Sequence, residues 1–326
     1  MTDPEHHASL NSIPPGFLYR LALRFSRSAV LYFLVALLGT AWGLQYAMAK
    51  MVSEEDVPAI GALFTVHAVL AVGFLAYTVL AGKRFGLTRP RIAFFCVVAL
   101  FGTIGQLGLE LLVAHHVSAG ELTLIVSLMP VFVVPLAALF RTDHISPRKI
   151  FGLVAGCAAA IAILLPSAFS DQGSDGHWIV LTFLVPLFAA IALVIMAKCW
   201  PKGLDAAQVA TGNLVAGSVL LIPVTLWSGD RVGFSVGWGA GDWAVFGFMV
   251  TVAAEYYLMA LLTRLSGAVY TSCSDFVAIC AGLGWSYLFF AEVPTAWMIV
   301  AALFCMAALK IASDGVVDEA RPQTLA

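Results

Sequence analysis

The chain has 326 residues, of which 61% are Ala, Val, Ile, Leu, Met, Phe, Trp, Tyr or Cys and only 11% are Asp, Glu, Lys or Arg. A soluble domain is roughly 45 to 50% apolar and about 25% charged, so this composition excludes a disordered chain, a disulfide scaffold and almost any soluble enzyme. With 17 Lys and Arg against 19 Asp and Glu the net charge is -2, which leaves no basic surplus for a phosphate backbone and argues against nucleic acid as a partner.

At the N-terminus no short apolar run precedes a small-residue cleavage site, so a removable signal peptide is not expected. Residues 1–28 instead place Arg20, Arg24 and Arg27 on one helical face beside Phe17, Leu21 and Phe25, the pattern of a cytoplasmic segment with an interfacial helix. Ten apolar stretches follow, each near the roughly 20 residues a helix needs to cross a bilayer. They run Ala29 to Met51, Pro58 to Leu80, Ile92 to Ala114, Ala119 to Phe140, Ile150 to Ala168, Trp178 to Ala197, Ala206 to Trp227, Trp243 to Leu262, Gly267 to Phe290 and Thr295 to Ile311. The six cysteines (Cys96, Cys157, Cys199, Cys273, Cys280, Cys305) lie in or beside these stretches and read as small buried hydrophobes, not as metal ligands.

Orientation follows from the basic residues, because cytoplasmic loops retain Lys and Arg. With ten spans and both termini inside, every Lys and Arg except Lys50 and Arg231 falls on the cytoplasmic side. The opposite loops carry Glu54, Glu55, Asp56, Asp171, Asp175, Asp230 and Asp242.

A shift of 148 residues aligns Ala47-Met48-Ala49-Lys50 with Ile195-Met196-Ala197-Lys198, and without a gap pairs Thr103 with Thr251, Ser118 with Ser266, Thr123 with Thr271 and Cys157 with Cys305. The repeats are residues 29–168 and 169–312, with a cytoplasmic tail at 313–326. Each holds five crossings, so the second enters the membrane from the opposite side. Inverted repeats with a midplane site between the halves are characteristic of secondary transporters.

The residues also resemble a known family, the EamA-type branch of the drug/metabolite transporter superfamily. The likeness rests on Ala41-Trp42-Gly43 and Lys50 in span one, Ser127-Leu128-Met129-Pro130 with Ser146 to Gly152 around span four, and Tyr287-Leu288-Phe289-Phe290-Ala291-Glu292-Val293-Pro294-Thr295 after span nine. Two positions depart from the pattern: the acid expected at the end of span four is His144, although its repeat partner Glu292 is kept, and Pro130 is partnered by Ala278. The resemblance implies a ten-helix exporter whose cavity is lined by spans one, three, four, six, eight and nine, with spans five and ten to the side and span two peripheral.

Ionisable groups within the spans are costly, about 2.5 to 3.5 kcal/mol each on the insertion scale, and mark candidate sites. They are His67, Glu110, Glu255 and Asp275. Glu255 and Asp275 sit on consecutive antiparallel spans about 15 Å from a turn near Leu265, level with each other near the midplane. Two carboxyl groups so placed favour holding a proton, which suits proton-coupled exchange or binding of an amino-bearing substrate; buried acids that stabilise packing are the alternative. Thr271 and Ser272 share a small polar face with Asp275, and Tyr256 follows Glu255. The repeat places Ser127 opposite Asp275. In the first half, Gln106 and Glu110 lie beside Thr103, and Trp42, Gln45 and Tyr46 form an aromatic and amide face able to orient a solute or to serve packing. Glu110 reads as nearer the outer surface. His67, near mid-depth, is either a proton relay or a satisfied packing residue. His115 and His116 read as an outer turn, Pro130, Pro135, Pro186 and Pro223 as kinks that either gate or merely pack, and Gly102, Gly105 and Gly108 as packing.

Gly239-Ala240-Gly241-Asp242 has the outline of an aspartyl intramembrane protease motif but lies in an outer loop without a partner acid, and no histidine box, phosphate loop or ATP-binding domain is present. The sequence thus predicts an all-α membrane protein of ten transmembrane helices built as two inverted five-helix repeats, a monomer or homodimer in the inner membrane with no cofactor or metal. It is expected to export a small polar metabolite, an amino acid, amine or related compound, by alternating access, with protons as the candidate coupling ion. Uptake or facilitative exchange is the alternative, and an intramembrane enzyme the second alternative.

Overall fold

The computed structural model describes residues 27–142, 154, 155, 158, 176–230, 238–304, 306 and 307. The interfacial helix expected around Phe17, span five apart from three positions, His144, Cys157, Cys305 and the tail from Ser313 lie outside the described residues.

Among the described residues seven helices are long and apolar enough to cross a membrane: Ala29–Glu54, Ala59–Leu80, Arg89–Val113, Ala119–Leu139, Gly176–Lys198, Ala206–Ser228 and Ala240–Ser272. A shorter apolar helix, Asp275–Phe290, follows, and residues 296–304, 306 and 307 are again helical. With the backbone polar groups bonded inside each segment, this is the arrangement an apolar solvent requires.

Side-chain caps set several helix starts. Ser118 accepts from the Glu121 backbone and Glu121 from the Ser118 backbone, a reciprocal cap that begins α5 (Ala119–Val126). Asp205 and Gln208 do the same for α9 (Ala206–Ser228), and Asp205 also pairs with Lys83. Here α1 is Arg27–Glu54, α2 Ala59–Leu80, α3 Arg89–Ala99, α4 Leu109–Val113, α6 Met129–Leu139, α7 Gly176–Thr182, α8 Leu184–Lys198, α10 Ala240–Ser272 and α11 Asp275–Phe290.

Loop contacts sort the connections to two ends of the bundle. At one, the Glu292 carboxylate reaches Ala119 and Gly120, His116 stacks on Trp178 with ring centroids 3.6 Å apart, and Lys50 donates to the Ala114 carbonyl at 3.0 Å. At the other, Lys83 meets Asp205, Arg91 donates to the Lys202 carbonyl, Lys198 to the Phe140 carbonyl, and Arg264 lies over the Trp200 ring. The basic residues thus gather at the second end, as the loop pattern predicts.

Three expected spans depart from one regular helix. Span three is α-helical to Ala99, π-helical over Leu100–Gly108, then α-helical again through Leu109–Val113. Span four breaks at Ser127 and Leu128 between α5 and α6, with Pro130 in the first turn after the break. The turn expected near Leu265 is at Gly267, whose φ of 82° interrupts α10; only a residue without Cβ takes this backbone cheaply. Span nine then breaks at Cys273 and Ser274 before α11. Breaks in spans four and nine therefore fall at nearly the same place in the 148-residue repeat. The cysteines are less uniform than expected: Cys273 is buried, but Cys199 and Cys280 are exposed on the protein surface, as a small apolar side chain can be where lipid, not water, is the neighbour.

Helix α1 packs against α10 and α11. A Cβ on Gly39 would lie 2.2 Å from the Ser274 carbonyl oxygen, and one on Gly43 2.6 Å from the Gly282 nitrogen. Two glycines one turn apart thus bring the helix backbones into direct contact, the small-residue packing that replaces the hydrophobic drive inside a bilayer. Gly43→Leu is expected to cost about 1 to 3 kcal/mol through overpacking, seen as a lower unfolding temperature in detergent. Gly73→Ala, at a site with open space around it, is expected to leave that temperature unchanged.

Candidate functional site

Because a bilayer offers no partner to a stray polar group, the buried carboxyl groups define where to look. Glu110, Glu255 and Asp275 are 0%, 2% and 1% exposed. They come from α4, α10 and the first residue of α11. The π-helical stretch of span three carries Thr103 and Gln106 inward just before Glu110; π turns of this kind recur at functional sites.

Glu255 is the hub. Gln106 Nε2 donates to its Oε1 at 3.1 Å, and Trp42 and Gln45 of α1 approach the same carboxyl group. Gln45 also approaches Glu110, which lies within electrostatic reach of Glu255. The Tyr46 hydroxyl is within electrostatic reach of Glu110, Glu255 and Asp275 together. Trp42 Nε1, both amide atoms of Gln45, both carboxyl oxygens of Glu110, Glu255 Oε2, Asp275 Oδ2 and Ser127 Oγ are buried without a hydrogen-bond partner. Orphaned buried polar groups are few in a native fold and each calls for a reason; here most of them face one another. Among the described residues no Lys or Arg is buried, so the group is acidic with no protein counter-charge.

The structure brings together Trp42, Gln45, Gln106, Glu110 and Glu255, and joins Asp275 to them through Tyr46. Two placements differ from expectation. Glu110 is buried within this group, and the acidic neighbour of Glu255 is Glu110, so a pair becomes a set of three around Tyr46. Tyr46 was read only as part of an aromatic face; its position one residue from Gln45 and one turn from Trp42 was the available signal.

A second network lies beside the acids. His67 Nδ1 is 2.9 Å from the Leu63 carbonyl oxygen and Nε2 is 3.1 Å from the Tyr256 hydroxyl, which in turn lies 2.6 Å from Thr103 Oγ1. A carbonyl only accepts, so Nδ1 carries the hydrogen; in the neutral ring Nε2 then accepts from Tyr256, whose oxygen accepts from Thr103. Span two is therefore tied into the centre by His67, and Tyr256 links spans two, three and eight. Thr271 turns away from Asp275: its hydroxyl donates to the Gly267 carbonyl at 2.8 Å and meets Thr263 Oγ1 at 3.3 Å, pinning the hairpin turn. Gly102 and Gly105 face Ala192 and the Phe188 ring, the packing role expected of them. No cluster of metal-ligating side chains occurs among the described residues.

At the bundle end away from Glu292 there is a polar cavity of about 470 Å³. It is bounded by Arg141 and Thr142 after span four, Lys198 at the end of span six, and Gly267, Ala268 and Tyr270 in the turn between spans eight and nine.

Comparison with known proteins finds partial likenesses. Residues 29–165 match the EamA-like transporter family. A relative named as a probable terminal-alkyne amino-acid exporter, from Streptantibioticus cattleyicolor, is 29% identical over 163 residues, covering 48% of this chain and 52% of the relative. The chain thus spans about half the length of the curated relative it matches. A solved crystal structure superposes with a TM-score of 0.63 at 13% identity, covering 90% of this chain and 100% of that one, a likeness of fold. Over residues 29–165, somewhat less than half of its length, the chain is thus similar to the EamA-like transporter family.

Proposed function

We propose that the chain is a secondary carrier that exports a small polar metabolite bearing an amino group, an amino acid or amine, across the inner membrane by alternating access, with protons as the coupling ion. The observation that carries this reading is the convergence of Glu110, Glu255 and Asp275, buried with orphaned oxygens and no buried Lys or Arg among the described residues. A substrate ammonium group supplies the missing donors and counter-charge, and in its absence protons do. Trp42 and Tyr46 offer ring faces to the cation. Ser127, with an unpartnered hydroxyl at the break before α6, suits the carboxylate of an amino acid, since half-helix starts near the midplane favour anionic substrate groups. The name of the exporter relative supports the same substrate class.

Ten spans in two inverted five-helix repeats, with both termini cytoplasmic, remain the organisation that best accounts for the sorting of loops to two ends and for the matched breaks in spans four and nine. The ends differ in a way that suits alternating access. At the outer one, the Glu292 carboxylate accepts from the Ala119 and Gly120 backbone at 3.2 and 3.0 Å and from the Ser286 hydroxyl, tying span nine to the start of span four. At the inner one, the repeat equivalents Gly267 and Ala268 face the polar cavity instead. This supports a conformation closed outside and opening inward.

Two experiments test the reading. Uptake and counterflow of labelled amino acids and amines, in proteoliposomes with and without a pH gradient, are expected to show substrate-dependent flux that responds to the gradient. Asp275→Asn and Glu255→Gln are each expected to reduce that flux roughly tenfold or more, the loss of one charge-assisted hydrogen bond, with unchanged unfolding temperature; normal flux in both variants would overturn the site. Glu292→Gln is expected to raise labelling of a Ser118→Cys reporter by a membrane-impermeant thiol reagent added outside, again by roughly tenfold, and unchanged labelling would remove Glu292 as the outer tie.

A further inference from the structure

Away from the acidic centre, an apolar groove of about 410 Å³ opens between spans two, three and seven, lined among others by Leu75, Phe85, Ile92, Phe95, Val215 and Val219. Its one hydroxyl, that of Thr211, is occupied by the Ala207 carbonyl at 2.7 Å, so the walls offer nothing to water. Gly212 shapes it: a Cβ there would sit 2.3 Å from the Phe95 ring, and its lack lets that ring lie flat against α9. Several lining side chains are exposed, including Leu75 at 42%, Ile92 at 47% and Val219 at 57%, so the groove faces outward and not toward the carboxyl groups. Along α9 it is lined from Thr211 to Leu220, about 14 Å at 1.5 Å per residue, which matches one leaflet of a hydrocarbon core about 30 Å thick.

Its mouth is basic. Phe85 and Leu87, both lining residues, belong to the loop Lys83-Arg84-Phe85-Gly86-Leu87-Thr88-Arg89. Arg91 fixes that loop by donating to the Phe85 and Gly86 carbonyls and, at 2.7 Å, to the Lys202 carbonyl of the neighbouring loop. Lys83 is held by Asp205, while Arg84 and Arg89 are exposed beside the lining residues. A membrane-facing cleft that no water can wet, one leaflet long, with cations at the headgroup level, is complementary to a single kind of molecule.

We propose that this groove is a binding site for an anionic phospholipid, one acyl chain lying between spans two, three and seven and the phosphate meeting Arg84, Arg89 and the Lys202 loop. Basic pockets between membrane helices hold anionic headgroups in this manner, and the apolar walls add the chain contacts that a surface patch lacks. The site is separate from the substrate group and stands whether or not the transport reading does.

Native mass spectrometry of the full chain in mild detergent, titrated with phosphatidylglycerol or phosphatidylcholine of the same chains, tests it. Wild type is expected to retain phosphatidylglycerol in preference, and Arg84→Gln with Arg89→Gln to weaken that retention roughly tenfold while phosphatidylcholine is unaffected. Val219→Trp, which fills the groove, is expected to lower retention of both lipids, with Leu87→Gln as a second groove variant should the tryptophan fail to fold. Equal retention of the two lipids by wild type, or an unchanged preference in the arginine variant, would overturn the headgroup assignment. Retention indifferent to both groove variants, or full displacement by soluble glycerol phosphate, would reduce the site to a surface basic patch and overturn the groove.

Discussion

A bilayer core gives a polar side chain no water to turn to, and this single constraint sorts the polar residues of the chain into two groups. Most hydroxyls return to the backbone of their own helix: Thr40 donates to Ala36, Thr123 to Ala119, Thr182 to Trp178, Thr211 to Ala207, Ser218 to Leu214, Thr225 to Leu221 and Ser266 to Leu262. They are polar in composition but silent in the fold. Trp42, Gln45, Glu110, Glu255 and Asp275 cannot be silenced this way, because an indole, an amide or a carboxyl group reaches too far or has too many sites for one carbonyl to occupy. Their remaining atoms supply most of the unpartnered buried polar atoms among the described residues. The acidic cluster is what local hydrogen bonding leaves over.

That convergence depends on backbone contact elsewhere. Gly39 and Gly43 let α1 lie against Ser274, Ala278 and Gly282, which presses the Trp42, Gln45 and Tyr46 turn toward Glu255 and Asp275. Gly282 in turn receives Thr123 of α5, with a Cβ there only 2.5 Å from the threonine side chain. Spans one, nine and four thus form a glycine-lubricated stack through the centre, and the two broken spans belong to it. A helix that breaks at mid-depth frees its two halves to tilt separately, so the stack joins the acids to the elements whose ends close or open.

Much of this was legible in the sequence. Spans could be read because apolar runs of bilayer length end at polar loops, and the gathering of Lys83, Arg91 and Lys198 at one end of the bundle because basic residues recur at alternate loops. Glu255 and Asp275 stood out by rarity alone, since a carboxyl group in such a run is expensive. Depth along span three was not legible. The π-helical stretch Leu100–Gly108 shifts the face on which later residues point, so that the burial of Glu110 among polar neighbours could not be read from regular α-helical spacing. Thr271 was misjudged for another reason: its spacing from Asp275 assumed a continuous helix, whereas Gly267 and the Cys273 break separate the turn from α11. The exposed Cys280 shows that apolarity inside a span says nothing about facing the core, because lipid accepts the same side chains.

In the proposed carrier the two repeats supply similar scaffolds, and the differences between them bear on the direction of the cycle. At the outer end a carboxylate crosses from one half to cap the start of span four in the other, spending two backbone donors and the Ser286 hydroxyl on closure. The matching position in the first half is His144, which does not carry that carboxylate, and the matching turn at Gly267 and Ala268 borders a cavity rimmed by Arg141 and Lys198. A perfectly symmetric pair of repeats would close both ends with equal strength and favour neither conformation. Here both ends are tied by charge-assisted hydrogen bonds, each worth about 1.5 to 3 kcal/mol, a carboxylate on backbone donors at one and Lys83 and Lys198 on oxygen acceptors at the other. In the proposed carrier a substrate enters beside the second, and its binding energy must offset the Glu292 tie before the carboxyl groups at the centre face the other way.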